Sequence, residues 1–314
     1  MSGEAATPDL PTPPRRASLA GAPPSEHPAA RARALRPAGW SPPGPSPRGA
    51  DGRADLVPGA DEDLCFLSGD FRIFQRKNGH RWSLDDFVTA TIAIETMRAR
   101  TPRLARAADL GCGIGSVLMM VAWAFPEAHV AGVEAQELSL SLARRSVAWN
   151  GLEGRSTLQQ GDLRDPAALL GLGPFDLVTG TPPYIPQGSG LVSGRIQREP
   201  CFFETRGGIE DYALGAARLL REGGVFVACA GAWPEARTTD AARQAGLVPT
   251  ARIDVIPREG KPVLFRVVVA ERRAERSDVA APIDVRALVV RDRAGAIAPD
   301  MHRARALLGM PPVR

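Results

Sequence analysis

From about residue 60 onward the apolar positions of this chain fall into short runs and longer periodic blocks that alternate. Phe71-Arg72-Ile73-Phe74-Gln75 has the length and composition of a strand, and residues 83–97 those of a helix, with Ser83 as cap and Asp85 and Asp86 in the first turn. The pattern then predicts a strand over 104–110, a helix over 116–125, a strand over 129–133, a helix over 136–149 and a strand over 156–161. Strands over 175–179, 225–230, 252–256 and 264–270 follow, with helices over 208–220 and 234–245 between them. A last strand over 283–291 and a short helix over 301–308 complete the series. Strands alternating with helices predict an α/β fold, a doubly wound and mostly parallel sheet covered on both faces.

The ends depart from this pattern. Residues 1–60 are rich in Pro, Ala, Arg and Gly, carry few large apolar side chains and show no period, so they read as a disordered arm. Residues 61–275 form the expected domain, and 276–314 an appendage packed on it. The arm has no apolar block of a secretory signal, its prolines and acids disfavour a transit peptide, and the longest apolar stretch, 116–125, is too short to span a bilayer. A cytoplasmic protein, with no membrane partner, is the expectation; a monomer is slightly favoured. Cys65, Cys112, Cys201 and Cys229 are scattered, and His27, His80, His129 and His302 do not cluster with them, so no metal site is expected. The net charge of +4 rests on arginine, with Lys77 and Lys261 the only lysines; it is compatible with a nucleic-acid partner and is weak support for one.

Candidate chemistry centres on Asp109-Leu110-Gly111-Cys112-Gly113-Ile114-Gly115, a turn between a predicted strand and a predicted helix. Glycines at 111, 113 and 115 open backbone angles closed to other residues and let a ligand lie against the main chain. A dinucleotide loop, G-x-G-x-x-G, calls for glycine at position 116, where Ser116 stands; the third glycine comes one residue early, which disfavours NAD. Glu134 ends the next strand about twenty residues on, where such folds present a carboxylate to ribose hydroxyls. Asp162 closes the strand after that. Singly, each acid reads as a helix cap or a solvated loop residue; as an ordered series behind the glycine loop they read as a nucleoside-shaped cofactor site.

Thr181-Pro182-Pro183-Tyr184 directly follows the strand over 175–179, at the sheet edge where open α/β folds bind ligands. Two prolines stiffen the loop and surrender two amide donors, leaving carbonyl oxygens for a donor, while Tyr184 offers a face for stacking a planar group. Such a loop suits a flat amine. It would orient the nitrogen for in-line attack and favour the charge that develops there, and no strong general base is needed if the proton leaves to water afterwards.

These residues carry a resemblance. The acidic-start, three-glycine loop beginning at Asp109 resembles that of class I methyltransferases, whose fold is Rossmann-like and whose cofactor is S-adenosylmethionine. Gly180-Thr181-Pro182-Pro183-Tyr184 is similar to the (Asn/Asp/Ser)-Pro-Pro-(Tyr/Phe) signature of amino-methyltransferases acting on adenine, cytosine or glutamine nitrogen. Gln75-Arg76-Lys77-Asn78-Gly79-His80-Arg81-Trp82-Ser83-Leu84-Asp85 looks like the lead-in of bacterial tRNA1(Val) (adenine-N6)-methyltransferases. The resemblance covers residues 71–270. It implies that Asp109, Gly111, Gly113, Gly115, Glu134 and Asp162 hold the cofactor, with Asp162 near the adenine amine and Gln75 and Asp85 in the segment that closes over its methionine end. It also implies that Thr181, Pro182, Pro183 and Tyr184 carry catalysis and that RNA, tRNA above all, is the substrate. The departure is Thr181, where this family usually has Asn; a hydroxyl keeps an acceptor and loses the amide donor.

Between that loop and the next helix lie Arg195, Arg198 and Arg206 with Phe202-Phe203. Two readings stand there: arginines for phosphate and rings for splayed bases, or a core edge with solvated charges; Lys77 and Arg81 share them. Methylation of a protein glutamine or of rRNA is the alternative activity, residues 204–212 being faintly like the glutamine enzymes. Those carry a helical substrate domain ahead of the catalytic one, where this chain has its arm. A non-catalytic module that keeps the fold is the alternative of another class.

Overall fold

The alternating pattern builds an eight-stranded sheet with helices on both faces, preceded by a two-stranded hairpin. The computed structural model describes residues 37, 39–183, 207–274 and 282–313. In chain order the elements are β1 (Glu62–Phe66), β2 (Arg72–Arg76), α1 (Leu84–Arg100), β3 (Arg106–Leu110), α2 (Ser116–Ala124), β4 (His129–Glu134), α3 (Glu137–Trp149) and β5 (Ser156–Gln160). Then come β6 (Phe175–Gly180), α4 (Ile209–Leu219), β7 (Leu220–Gly231), α5 (Arg237–Gln244), β8 (Val248–Ile256), β9 (Phe265–Glu271), β10 (Asp284–Val289) and α6 (Pro299–Leu307). The spatial order is β10-β8-β9-β7-β6-β3-β4-β5. Among the described strands of this sheet, β9 alone runs against its neighbours, β7 and β8.

This order fixes where a ligand can sit. From β3 the chain winds outward through β4 to β5, then returns to lay β6 on the other side of β3, so the crevice opens at the carboxyl ends of β3 and β6. Period-two burial shows how the sheet is held. Val225, Val227 and Cys229 of β7 point into one core with α1, α2 and α3, while Phe226, Ala228 and Ala230 point into the other with α4 and α5. Helix α2 is buried over eight of its nine residues, apolar all round, because α1 and the sheet enclose it.

The hairpin was half missed by periodicity, which predicted β2 and not β1. Strand β1 pairs antiparallel with β2, and β2 is clamped to α3: the Arg72 N–H donates to Asn150 Oδ1 (2.8 Å) and Asn150 Nδ2 donates back to the Arg72 carbonyl (2.7 Å).

Residues 39–60 correct the reading of 1–60 as a disordered arm. Gly44 lies so close to Trp123 that a Cβ there would fall 2.6 Å from the indole nitrogen. The Gly49 N–H donates to the Trp149 carbonyl (2.9 Å), Arg53 pairs with Glu153, and Leu56 is fully buried. A Pro/Gly segment lying against flat indole rings needs no hydrophobic period, so composition alone misreads it. At the other end, β10 pairs parallel with β8 and extends the central sheet by a strand, and α6 packs its Met301 and Ala304 into the core.

Candidate functional site

At the carboxyl ends of β3, β4 and β6 the surface opens into a cleft, the place where open α/β sheets bind ligands. Its wall includes Ser83, Asp85, Asp86, Gly111, Gly113, Glu134, Asp162, Thr181, Pro183 and Tyr212. Among the described residues no lysine or arginine lines it, whereas the acids Asp85, Glu134 and Asp162 do, together with Asp86. That charge favours a cationic ligand and opposes the paired phosphates of a dinucleotide.

The three loop glycines do different work. At Gly113 (φ 55°) a Cβ would meet nothing within 4 Å, so the backbone there is bare toward the cleft. At Gly111 (φ 59°) a Cβ would fall 2.0 Å from the Tyr212 hydroxyl oxygen, and one on Gly180 would fall 2.5 Å from the same ring. These two make room for an aromatic side chain of α4 that is almost fully buried, while Gly111 also lines the cleft. Gly115 (φ 87°) starts α2 in a left-handed conformation.

Glu134 locks this loop. Its Oε2 accepts the Gly113 N–H (2.9 Å) and its Oε1 the Gln136 N–H (2.6 Å), so both oxygens are aimed before any ligand arrives. Asp109 lies beneath, buried at the end of β3, and accepts the Thr179 hydroxyl (2.8 Å). Burial pushes its carboxyl up to about 7; the Thr179 hydroxyl and the Leu118 amide pull back, and Glu134 adds to the rise. Asp162 lines the cleft and is held by Arg164 (2.6 Å).

The lead-in segment supplies the opposite wall. Ser83, Asp85 and Asp86 reach the cleft from the start of α1, where the Ser83 hydroxyl donates to Asp85. Gln75 does not reach it. Buried on β2, it accepts the Trp82 N–H (3.1 Å) and thereby holds the segment leading to Ser83, so the expected contact between Gln75 and a cofactor becomes an indirect one. Asp86 Oδ2 accepts the Ser83 N–H (3.0 Å), closing a capping box, while Oδ1 accepts the Thr181 hydroxyl (3.1 Å). Burial pushes the Asp86 carboxyl up to about 8, with Asp85 and Asp109 adding and the Ser83 amide and Thr181 hydroxyl opposing.

Thr181 and Pro183 are on the wall; Pro182 is buried beside them. Tyr184, Arg195, Arg198 and Arg206 lie outside the described residues, as do Phe202 and Phe203. Lys77 donates to the Ala60 carbonyl just ahead of β1 (2.7 Å), and Arg81 pairs with Asp63 of β1 (2.8 Å). Sequence reasoning placed Asp86 only as a helix-start residue and gave Tyr212 no role. The signal for Asp86 was present in the doubled acid of the first turn; none marked Tyr212, whose place depends on glycines 32 and 101 residues before it.

The two raised carboxyls set a pH dependence of stability. In the unfolded chain both ionise near 3.8; folded, they keep their protons to about 8 and 7. Between these limits the native state binds more protons than the unfolded state, so their contribution falls as pH rises and levels off above pH 8 or so. Thermal unfolding without ligand is expected to show Asp86→Asn gaining on the parent chain by the order of 5 °C between pH 5 and pH 8.5. A constant difference across that range would contradict the assignment.

Among the described residues there is no metal-ligating cluster and no helix long and apolar enough to cross a membrane. A profile of the methyltransferase small domain matches residues 83–194. A release factor glutamine methyltransferase of Xylella fastidiosa is 30% identical over 191 residues, 55% of this chain and 67% of that protein. A tRNA1(Val) (adenine(37)-N6)-methyltransferase of Porphyromonas gingivalis is 33% identical over 78 residues, 24% of this chain and 31% of that protein. The chain spans about a third of the length of other curated relatives that it matches, glutamine methyltransferases of higher identity. Among solved structures, a predicted O-methyltransferase from Agrobacterium tumefaciens superposes with a TM-score of 0.51 over 74% of this chain and 99% of its own, at 19% identity, a likeness of fold.

Proposed function

Because this chain belongs to the methyltransferase small domain family of S-adenosylmethionine-dependent enzymes, we propose that it transfers a methyl group to a flat primary amine, the N6 nitrogen of an adenine in RNA, with tRNA the first candidate. The observation that carries the transfer is the shared wall: Gly113 and Glu134 on one side, Thr181 and Pro183 on the other, around one anionic cleft.

The residues fit the cofactor. S-adenosylmethionine supplies, when bound, an electrophilic methyl on a positively charged sulfur. The bare Gly113 backbone gives a cradle that a side chain would fill, and Glu134, oriented by the Gly113 and Gln136 amides at the end of β4, is the carboxylate proposed for the ribose hydroxyls. Asp162 is proposed for the adenine end and Asp85 for the methionine end, and among the described residues no lysine or arginine on the wall repels the sulfonium. At the acceptor, Thr181 offers a hydroxyl oxygen and Pro182 a carbonyl oxygen, the two acceptors that a flat NH2 group needs to be held and turned. Tyr184 is proposed as the stacking face and Arg195, Arg198 and Arg206 as phosphate contacts.

Adenine in RNA is favoured by the lead-in Gln75 to Asp85 and by the relative that acts on tRNA. The second reading, a protein glutamine, is favoured by the longer match to a release factor enzyme. Incubation with methyl-labelled cofactor and separate tRNA, rRNA and protein pools, followed by nucleoside and amino-acid analysis, distinguishes them. N6-methyladenosine in tRNA is the expected product. Label recovered as N-methylglutamine replaces the acceptor, and no label in any pool ends the reading.

A further inference from the structure

We propose that Asp86 receives, through the hydroxyl of Thr181, the proton that the acceptor nitrogen gives up on methylation. The inference rests on the proposed transfer and goes beyond it, since nothing in that reading needs a base. A threonine hydroxyl has one hydrogen, and here it is donated to Asp86 Oδ1 at 3.1 Å. Its lone pairs are therefore left for a donor in the cleft, and an NH2 group is one. The prolines that follow carry no N–H to compete.

The capping role of Asp86 does not account for its place. Oδ2 alone serves the Ser83 N–H; Oδ1 is spent on the acceptor loop, 95 residues away in sequence. Asp86, the third helical residue of that box, is 5% exposed, with Asp85 on its own helix and Asp109 on β3 acting on it. The Cys229 thiol of β7 is held protonated by burial and by Asp85 and Asp86, and His80, Cys112, Glu134, Asp162 and Tyr212 are the other titratable groups on the cleft wall. A cationic ligand in this cleft favours the ionised form of Asp86, which prepares the base when the donor is in place.

The step balances. As the nitrogen lone pair forms the N–C bond, the C–S bond breaks and its electrons stay on sulfur. The N–H bond then gives its electron pair to nitrogen and its proton to Thr181 Oγ1, whose own hydrogen passes to Asp86 Oδ1. Asp86 ends as a neutral acid and returns the proton to water when product leaves. An asparagine amide in the place of Thr181 accepts a hydrogen bond and does not take the proton, so Thr181 and Asp86 together do what the usual signature does not.

Single-turnover transfer at saturating cofactor, from pH 6 to 9, tests this with the parent chain, Asp86→Asn, Thr181→Val and Thr181→Ser. The parent rate is expected to rise with pH to a plateau. Asp86→Asn and Thr181→Val lose about 10²- to 10⁴-fold and the rise, while Thr181→Ser, which keeps the hydroxyl, stays within about threefold. Thr181→Val leaves the capping box intact, which guards against a folding defect. The second readout is calorimetric binding of S-adenosylmethionine in two buffers of different ionisation enthalpy near pH 7. The parent is expected to release more protons than Asp86→Asn at similar affinity. Parent-like rate and pH profile in Asp86→Asn overturn the relay while leaving the proposed function standing, as does equal proton release. A parent chain that labels no pool overturns both.

Discussion

Replacing Glu134 with alanine is expected to weaken S-adenosylmethionine binding by about a hundredfold or more, the loss of two or more charge-assisted hydrogen bonds at 1.5–3 kcal/mol each, as a rough figure. The carboxylate does two things at once. It pins the Gly113 N–H at 2.9 Å and the Gln136 N–H at 2.6 Å, and so sets the shape of the glycine turn; it also lines the cleft where the cofactor is proposed to lie. Alanine leaves both amides to water and lets the turn at Gly113, already at φ 55°, relax into other states that a glycine reaches freely. Glu134→Gln keeps one accepting oxygen and turns an acceptor into a donor, so about a tenfold loss is expected. Calorimetric titration measures both, with far-UV circular dichroism as the check on folding. Affinity within threefold of the parent in Glu134→Ala would remove Glu134 from the cofactor site.

How far the sequence carried the fold depended on how local each cause was. Strands such as β7, where Val225, Phe226, Val227 and Ala228 are all buried, announce themselves because a strand covered on both faces is apolar throughout. Helix α1 was legible from its cap, since Ser83 and Asp86 are three residues apart. Strand β1 was not: Glu62, Asp63, Leu64, Cys65 and Phe66 have no clear period, and what orders them is the partner strand and the Arg81–Asp63 pair, a contact across 18 residues. Residues 39–60 failed for the same reason, their order coming from Trp123, Trp149 and Glu153.

The site divides along the same line. A turn with three glycines between strand and helix, and an acid at the next strand end, are local marks, and the structure brings Gly111, Gly113, Glu134, Asp162 and Thr181 to one cleft. The Asp86–Thr181 contact spans 95 residues and no spacing rule covers it. Gly111 illustrates the limit differently: its position was evident, its cause was not, because the ring that fills the missing side chain's place comes from α4. Gln75, expected in the segment over the methionine end of a cofactor, is buried on β2 with its amide oxygen on the Trp82 N–H, a partner no motif announces.

Asp70→Ala is expected to destabilise the chain by about 1.5–3 kcal/mol, the range for a hydrogen bond to a charged group, since Arg72 is buried and Asp70 part-buried. Arg72 is 1% exposed, and its guanidinium lies 3.3 Å over the Phe66 ring, where water cannot replace a lost anion. Its Nη2 pairs with Asp70 Oδ1 at 2.7 Å and its Nη1 donates to the Asp70 carbonyl at 2.6 Å, so alanine removes the counter-charge and leaves the cation in place. Asp70→Ala with Arg72→Met removes both charges and keeps the bulk against Phe66, and is expected to recover about half of the loss or more. The consequence reaches the cleft through the hairpin. Strand β2 carries both Arg72 and Gln75, and Gln75 holds the Trp82 backbone just ahead of Ser83, Asp85 and Asp86. A loosened β2 therefore frees the wall opposite the glycine loop, and S-adenosylmethionine affinity should fall in Asp70→Ala and return in the double variant. Urea unfolding and calorimetry on the same four chains, parent, singles and double, read the two effects side by side. If affinity falls equally in the double variant while stability recovers, the hairpin does not transmit order to the site.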